Sequence, residues 1–296
     1  MCRKLATDLY TRERITTPDD DFLDLDWSRI GSRKLAVISH GLEGNSHRSY
    51  VVGMVEALNR AGWDCLAWNY RSCSGEINRQ LRFYHHGATD DLITVIRHAV
   101  QSRRYRRIDL VGFSMGGNLT LVYLGRETKQ VPPFIGRAVV FSVPCNLKDC
   151  AHRLAKWRNR PYMRYFLKPL FRKLKEKRKR FPDQLNVEGF RKIKTFQQYD
   201  DRYTAPLHGF RDAEDYWRQT GSVRYLKRIR VPVLIVNARN DPFLADTCYP
   251  IGTARDSSTI FLEMPRSGGH VGFVAFNAER RYWSERRAVE FLQKGA

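Results

Sequence analysis

The sequence predicts an α/β fold in which helices cover both faces of a mostly parallel β-sheet. Apolar runs of strand length alternate with amphipathic segments of helix length along most of the 296 residues, as in strands that are joined by crossover helices. No internal repeat is present. A chain of about 300 residues buries roughly three quarters of its unfolded surface when it folds. We therefore expect a single domain over residues 1–296 that needs no disulfide or metal for its stability.

The predicted elements alternate along the chain as such a sheet requires. The predicted strands are 22–27, 35–39, 65–68, 108–113, 138–142, 231–236 and 260–264. The first of them alternates apolar and polar residues, which is typical of an exposed edge strand. The predicted helices are 46–61, 89–102, 115–124 and 279–293. Ser46 is the expected N-cap of the first helix, and Gly62 is expected to end it.

Between residues 145 and 230 the strand pattern stops, and we predict a helical, strongly basic insertion. One apolar stripe recurs there at helical spacing, with Arg and Lys between its members: Met163, Phe166, Leu167, Leu170, Phe171 and Leu174. Such a stripe indicates an amphipathic helix. We expect its apolar face to pack on the rest of the domain rather than on a membrane. The insertion is then expected to cover the functional site as a lid.

The net charge of the chain is +21, and it is unevenly distributed. Residues 148–194 contain 17 basic and four acidic side chains, whereas residues 1–30 contain five basic and seven acidic ones. A basic stretch of this kind attracts anions such as phosphates, lipid headgroups or nucleic acid. We expect weak contact with an anionic membrane surface at most, and no nucleic-acid partner. The simplest interpretation of the run at 172–180 is a solvated surface.

Composition excludes several classes of protein. The chain is 42% apolar and 28% charged, which is too apolar for a disordered protein. It contains no run of about 18 uncharged apolar residues that could span a membrane, and its start resembles no secretion signal. Six scattered cysteines form no CxxC motif: Cys2, Cys65, Cys73, Cys145, Cys150 and Cys248. We therefore expect a cytoplasmic protein with reduced thiols.

The most informative motif is the Gly-x-Ser-x-Gly sequence at residues 112–116, between a predicted strand and a predicted helix. A sharp turn at that point strains the backbone of Ser114, and the glycines at 112 and 116 remove side chains that would clash. The Ser114 hydroxyl then lies at the start of a helix, whose dipole favours developing negative charge. Ser114 is the predicted nucleophile. The alternative interpretation is a glycine-rich helix start that is capped by a serine.

A serine hydroxyl becomes nucleophilic when a histidine takes its proton and a carboxylate orients that histidine. In a fold with this turn the expected order is Ser, acid, His. Asp241 follows one predicted strand, and His270 lies in a glycine-rich loop after the next. We predict a triad of Ser114, Asp241 and His270, with Asp246 as a weaker alternative for the acid. The other histidines fit this role less well: His40, His47, His98, His152 and His208.

Two backbone donors for an oxyanion are predicted beside the nucleophile. The loop at 40–44 follows the first buried parallel strand and contains Gly41 and Gly44, so its N–H groups can face the site. We assign the N–H groups of Leu42 and Met115 to this role. His40 and Gly41 are also candidates for substrate binding, although a tight loop with a hydrogen-bonded histidine is the alternative.

Two further loops are expected at the rim of the site. In the simpler interpretation, side chains in 69–76 and 84–92 form hydrogen bonds with buried backbone groups. In the alternative, Tyr84 is the candidate for substrate contact. His85, His86 and Cys73 match no established zinc spacing. We therefore expect no metal and no cofactor.

Several segments together resemble the α/β-hydrolase superfamily, and within it the YheT-like branch, also called the AB-hydrolase-4 family: His40-Gly41-Leu42-x-Gly44, and residues 69–76, 84–92, 112–118, 237–243 and 268–273. The resemblance extends from about residue 25 to the end of the chain. It implies an α/β-hydrolase fold with an eight-stranded core, a Ser–Asp–His triad and esterase or lipase-like activity on carboxylic esters. The run at 173–180 is more basic than this pattern requires, which leaves the substrate and partner open.

The favoured hypothesis is a serine hydrolase that cleaves carboxylic esters through an acyl-enzyme on Ser114. The substrate is expected to be a small-molecule ester with a short- to medium-chain acyl group, or a lipid ester. Acyl transfer to an alcohol or thiol by the same triad is one alternative. A second alternative is a non-catalytic scaffold that binds anionic partners through its basic insertion. Epoxide hydrolysis and dehalogenation are disfavoured, since they resemble cases with Asp at the position of Ser114.

Overall fold

The structure is a computed structural model that describes residues 8–101, 104–275, 277–278 and 281–294. Its strands are β1 (Thr11–Thr16), β2 (Phe22–Ser28), β3 (Lys34–Ser39), β4 (Asp64–Trp68), β5 (Arg107–Phe113), β6 (Ile135–Phe141), β7 (Val233–Val236) and β8 (Ile260–Glu263). Its helices are α1 (Ser49–Arg60), α2 (Thr89–Gln101), α3 (Met115–Arg126), α4 (Leu147–Ala155), α5 (Arg160–Arg180), α6 (Phe196–Tyr199), α7 (Ala205–Leu207), α8 (Ala213–Thr220), α9 (Ile251–Arg255) and α10 (Trp283–Gln293). Cys2, Ser102 and the expected start of the closing helix at 279–280 lie outside the described residues.

Within the described ranges, eight strands form one sheet in the order β1-β2-β4-β3-β5-β6-β7-β8. The pairs β1–β2 and β2–β4 are antiparallel, and the remaining five pairs are parallel. The predicted α/β class with a mostly parallel eight-stranded sheet is thereby confirmed. In the same ranges, no helix has both the length and the apolar character that crossing a membrane requires.

The two faces of the sheet carry separate apolar cores. Successive residues of a strand point to opposite faces, so in β3 Leu35 and Val37 join one core while Ala36 and Ile38 join the other. Helices α2 and α3 pack on the first face, and α1 and α10 pack on the second. This arrangement gives the helices on both faces that the sequence predicts.

The edge of the sheet differs from the prediction. Strand β2 is buried along its whole length because β1 pairs with it on the outside. Its alternating carboxylates bind cations of β1: Arg12 Nε lies 2.8 Å from Asp26, and Arg14 Nε lies 2.7 Å from Asp24. The polar residues of β2 therefore face a neighbouring strand rather than solvent, and the prediction of an exposed edge at 22–27 is wrong.

The start of the first helix also differs from the prediction. Helix α1 begins at Ser49, and its N-cap residue, Arg48, makes no side-chain hydrogen bond to the helix. The hydroxyl of Ser46 instead donates to the carboxylate of Asp26. Ser46 ties the loop after β3 to strand β2, and it is not the N-cap.

The segment between β6 and β7 contains α4 to α8, and within it the structure assigns no strand. Helix α5 buries one stripe at helical spacing, which consists of Met163, Leu167, Leu170, Leu174 and Lys177. The four apolar members of this stripe join the core on the α2–α3 face of the sheet. The parallel strands β3, β5, β7 and β8 end on the same side, so the loops that follow them meet at one edge of the sheet.

Candidate active site

Ser114 stands between β5 and α3 in a strained turn. Its backbone has φ 52° and ψ −116°, in the left-handed region that L-residues rarely adopt. A Cβ atom at Gly112 would lie 2.6 Å from the carbonyl oxygen of Gly116, and one at Gly116 would lie 2.3 Å from the carbonyl oxygen of Ser39. Both positions therefore exclude any side chain, which is the reason for the two glycines of the motif.

The three residues of the predicted triad lie in one hydrogen-bonded line. His270 Nε2 is 2.8 Å from the hydroxyl oxygen of Ser114, and His270 Nδ1 is 2.9 Å from Oδ2 of Asp241. With the imidazole proton on Nδ1, the ring donates to the carboxylate and accepts from the serine. Asp241 is fully buried, and His270 is largely covered. Asp246 begins a short 3₁₀ turn, and among the described residues its side chain makes no hydrogen bond to His270.

Side chains that sequence analysis did not single out hold these loops together. The side-chain oxygen of Asn240 accepts hydrogen bonds from the N–H groups of Gly268 and Gly269, at 3.0 and 2.9 Å. These bonds connect the loop of Asp241 to the loop of His270. The ring of Phe243 packs on the imidazole of His270, with 4.3 Å between ring centroids. In the sequence, Asn240 and Phe243 are marked only by their position next to Asp241 in the segment 237–243.

The loop after β3 approaches the nucleophile closely. A Cβ atom at Gly41 would lie 3.3 Å from Cβ of Ser114. The N–H of Gly41 donates to the hydroxyl of Tyr50, and that of Glu43 donates to the hydroxyl of Tyr84. Among the described residues, the N–H of Leu42 in this loop has no acceptor. Leu42 and Ser114 line the same cavity.

The N–H of Met115 is the first of helix α3, and the helix leaves it without an intrahelical acceptor. Met115 lines the cavity together with Leu42 and Ser114. The two predicted donors, one on the loop after β3 and one at the start of α3, thus belong to residues that line one cavity with Ser114. An oxyanion is stabilised by two such N–H donors, and the role of these two groups stays a prediction.

His40 lies behind this loop and does not line the cavity. Its ring is buried, with Nδ1 2.7 Å from the carbonyl oxygen of Gly41 and Nε2 accepting from the N–H of Tyr70 at 3.3 Å. Burial lowers its pKa to about 3, so the ring is neutral. Both ring nitrogens are used within the fold. The expectation of a substrate contact at His40 is therefore replaced by a role in shaping the loop of Gly41.

Tyr84 belongs to a buried polar cluster at the wall of the cavity. Its hydroxyl donates to the carboxylate of Glu43, and its ring stacks on Tyr70 at 5.2 Å between centroids. Lys173 from helix α5 places Nζ 2.8 Å from the same Glu43 carboxylate and 3.1 Å from Sγ of Cys73. Burial alone would lower the pKa of Lys173, but Cys73 and Glu43 outweigh it and raise that pKa.

The cavity above Ser114 is mostly apolar. It encloses about 1060 Å³ of space that no atom fills, part of which is open to solvent. Its apolar walls come from the loop after β3, the segment around residue 83, helices α3 to α6 and the loop of Asp241. The apolar residues that line it are Leu42, Phe83, Met115, Leu147, Leu154, Phe166, Leu170, Phe196, Phe243 and Leu244. All five of the members from 147 to 196 belong to the insertion, which therefore forms a large part of the wall.

Burial shifts the pKa values of two other titratable groups in this wall toward the uncharged form. Burial raises the pKa of Asp200 to about 7, and its carboxyl accepts from Thr204 and Trp217. Burial, with His208 nearby, lowers the pKa of His85, whose ring packs 4.6 Å from that of His208. His85 thus packs against His208, whereas Cys73 contacts Lys173 of helix α5, so the two residues have different partners.

Comparison with known proteins places these features in a family. The sequence profile of the alpha/beta hydrolase fold family matches residues 36–274. YheT of Escherichia coli, which carries the name of an esterase, is 33% identical over 95% of this chain and 84% of its own. Mouse phospholipase ABHD3 is 30% identical over 90% of this chain and 66% of its own, so this chain spans about two thirds of that relative's length.

Two further comparisons extend this picture. A monoacylglycerol lipase of Saccharomyces cerevisiae is 27% identical over 94% of this chain and 62% of its own. Among solved structures, the Pyrococcus furiosus esterase Pf2001 superposes with a TM-score of 0.63 at 19% identity, covering 96% of this chain and 92% of its own. At that identity the likeness concerns the fold alone.

Proposed function

The chain belongs to the α/β-hydrolase fold family, and on that premise we propose that it is a serine hydrolase that cleaves carboxylic esters through an acyl-enzyme on Ser114. One observation carries the proposal. A continuous line of hydrogen bonds runs from the hydroxyl of Ser114 through His270 to Asp241, and it opens into an apolar cavity.

The first half-reaction transfers the acyl group to the enzyme. His270 Nε2 takes the proton of the Ser114 hydroxyl while the oxygen attacks the ester carbonyl carbon. The carbonyl oxygen gains the negative charge and is stabilised by the N–H groups of Leu42 and Met115. Asp241 accepts from Nδ1 and stabilises the imidazolium. The imidazolium then protonates the leaving alkoxide, the C–O bond breaks, and the alcohol departs.

The second half-reaction repeats these steps with water. His270 takes a proton from a water molecule, and the resulting nucleophile attacks the acyl-enzyme carbonyl carbon. The same two N–H groups stabilise the second oxyanion. The bond between the acyl carbon and the Ser114 oxygen then breaks, His270 returns the proton to that oxygen, and the carboxylic acid is released. The enzyme returns to its starting state.

We further propose that the acyl group is a lipid chain. The cavity walls are apolar, and the polar groups among them are paired or held neutral, so the wall favours an uncharged hydrocarbon chain. The names of the relatives ABHD3 and the yeast monoacylglycerol lipase favour a lipid ester as well. Helices α4 to α6 would act as the lid of this chain-binding cavity, because they supply much of its wall.

The test is labelling with a fluorophosphonate, followed by mass spectrometry of the labelled peptide. We expect a single adduct on Ser114 and turnover of p-nitrophenyl acyl esters with release of the free acid, which distinguishes hydrolysis from acyl transfer. The Ser114→Ala variant should fold, because Ala removes only one oxygen atom, and it should lose both labelling and turnover. Turnover retained by that variant would contradict the proposal.

A further inference from the structure

An exposed face at the start of the insertion combines aromatic and basic side chains. We define the mouth face by six residues in the short 3₁₀ turn at Trp157–Asn159 and the first turns of α5: Trp157, Arg158, Arg160, Tyr162, Arg164 and Tyr165. The exposed fractions of Trp157, Tyr165 and Tyr162 are 71%, 59% and 43%. Large aromatic side chains are rarely left in water in such a group without a partner.

This face borders an opening of the active site. Tyr162 and Tyr165 line a groove that also contains Ser114 and His270, and this groove is open to solvent. The ring of Tyr162 packs on Phe243, with 4.8 Å between centroids, and Phe243 in turn packs on the imidazole of His270. A partner that contacts Tyr162 and Tyr165 therefore lies beside the groove that contains the nucleophile.

Within the described part of the chain, the three arginines of the mouth face have no carboxylate partner, although Arg158 lies over the ring of Trp157 at 5.4 Å. The sequence from residue 150 to 175 contains no aspartate or glutamate. Among the described residues, no carboxylate lies within salt-bridge distance of Arg158, Arg160 or Arg164. All three side chains are exposed. The face thus presents unpaired positive charge beside exposed aromatic rings.

The rest of helix α5 uses its cations differently. Lys173 binds Glu43, and the buried Lys177 donates to the side-chain oxygen of Asn78. Lys179 pairs with Glu176 of the same helix. The basic run at 172–180 therefore anchors the insertion to the domain in part, whereas the three arginines of the mouth face form no salt bridge among the described residues.

We propose that the mouth face docks the enzyme on a membrane surface that contains anionic phospholipids, with the groove facing the lipid. Trp and Tyr partition to the boundary between lipid headgroups and acyl chains, and Arg binds lipid phosphates. An acidic protein would match the charge, but exposed aromatic rings around an acyl-binding cavity favour lipid. The inference rests on the proposed function, because docking would deliver a lipid ester to Ser114. Its test measures membrane binding and does not depend on catalysis.

The experiment measures co-sedimentation of the Ser114→Ala protein with phosphatidylcholine vesicles, with and without phosphatidylglycerol. Using Ser114→Ala separates docking from ester cleavage. The combined change Arg158→Glu, Arg160→Glu and Arg164→Glu should weaken binding to the anionic vesicles at least about tenfold, given the attraction of each cation to an anionic surface. The matched control is Arg172→Glu, Lys175→Glu and Arg178→Glu, which alters net charge equally at exposed positions of the same helix. It should weaken binding by less than about twofold, because the surface potential falls off within a Debye length.

A second pair of variants tests the aromatic part of the face. Trp157→Ala should weaken vesicle binding several-fold, whereas Phe261→Ala, an exposed aromatic change on β8, should leave it unaltered. Equal losses in the two charge variants, undiminished binding by Trp157→Ala, or tighter binding to a single-stranded oligonucleotide than to anionic vesicles would each overturn the proposal.

The proposed function is measured separately, by turnover of a water-soluble acyl ester with Ser114 restored. Trp157→Ala should leave that turnover unaltered, because Trp157 does not line the cavity. Vesicle binding without any turnover would support docking and contradict the proposed function. Turnover without vesicle binding would support the proposed function and contradict docking.

Discussion

The ammonium group of Lys173 lies 2.8 Å from the carboxylate of Glu43, and Glu43 directly follows Leu42, the proposed oxyanion donor. Glu43 has φ 54°, so the loop is held in a conformation that its own backbone disfavours. Lys173 belongs to the insertion, and Glu43 belongs to the loop after β3. The contact therefore joins the cavity wall to the backbone that would stabilise the transition state.

We expect Lys173→Met to lower kcat for a soluble ester by about tenfold or more, because an unpaired buried carboxylate would shift the loop of Leu42. Lys168→Met, an exposed position on the same helix, is the control and should keep wild-type kcat. Urea unfolding should show a loss of about 3–5 kcal/mol for Lys173→Met, and a smaller loss when Glu43→Gln is added, since the double variant leaves no unpaired charge. Additive losses would contradict this role of the pair.

The acid of the triad can be identified by a pair of matched substitutions. Asp241→Asn keeps the shape of the side chain but no longer stabilises the imidazolium, so we expect kcat to fall by about 10³–10⁴-fold. Asp246→Asn should change kcat by less than about twofold, because Asp246 makes no hydrogen bond to His270 within the described residues. Steady-state kinetics on a p-nitrophenyl ester decides between them, and a larger effect at Asp246 would reverse the assignment.

Gly116→Ala should be strongly destabilising. The new methyl group would lie 2.3 Å from the carbonyl oxygen of Ser39, a backbone atom that cannot move without shifting β3. Overpacking of this kind costs about 1–3 kcal/mol or more in the free energy of unfolding. Gly252→Ala in α9 is the control, since nothing lies within 4 Å of its Cβ position and alanine favours the helix. Chemical denaturation that gave equal stabilities for the two variants would contradict the packing described for the turn.

The buried carboxyl of Asp200 makes stability depend on pH. Burial raises its pKa from 3.8 to about 7, so the folded state holds a proton that the unfolded state releases from about pH 4 upward. Its contribution to stability is therefore fully present below the unfolded pKa, declines from pH 4 to pH 7, and is constant above that. We expect Asp200→Asn to gain stability relative to the wild type over this window, on the order of a few kcal/mol. Urea titrations at several pH values check this, with the exposed Asp183→Asn as the control that should show no such trend.

The parts of the molecule that follow from local sequence were predictable. The turn at Ser114 is encoded within five residues, and the loops of Asp241 and His270 each follow a strand whose apolar run is visible. Their meeting at one sheet edge follows from parallel topology, because the carboxyl ends of parallel strands lie together. The fold prediction is confirmed, and the roles of the three side chains stay predictions until they are measured.

The features that depend on distant segments were not predictable in the same way. Strand β1 contains one buried apolar residue, Ile15, so it lacks the periodic signal of a strand. Without β1, the alternating aspartates of β2 are typical of an exposed edge, whereas in the structure they pair with arginines of β1. The pairing of Lys173 with Glu43 spans 130 positions and required the packing of α5. Lys177 did leave a signal, since it continues the buried stripe at the spacing of Leu170 and Leu174.

The placement of α4 to α8 between β6 and β7 has a consequence for engineering the enzyme. Exchanging residues 145–230 for the corresponding segment of a relative would transplant most of the cavity wall in one piece while sparing the loops of Ser114, Asp241 and His270. Such a chimera would also discard Lys173. A successful graft must therefore bring its own cation to Glu43, and segments that lack one are expected to yield folded hybrids with poor turnover.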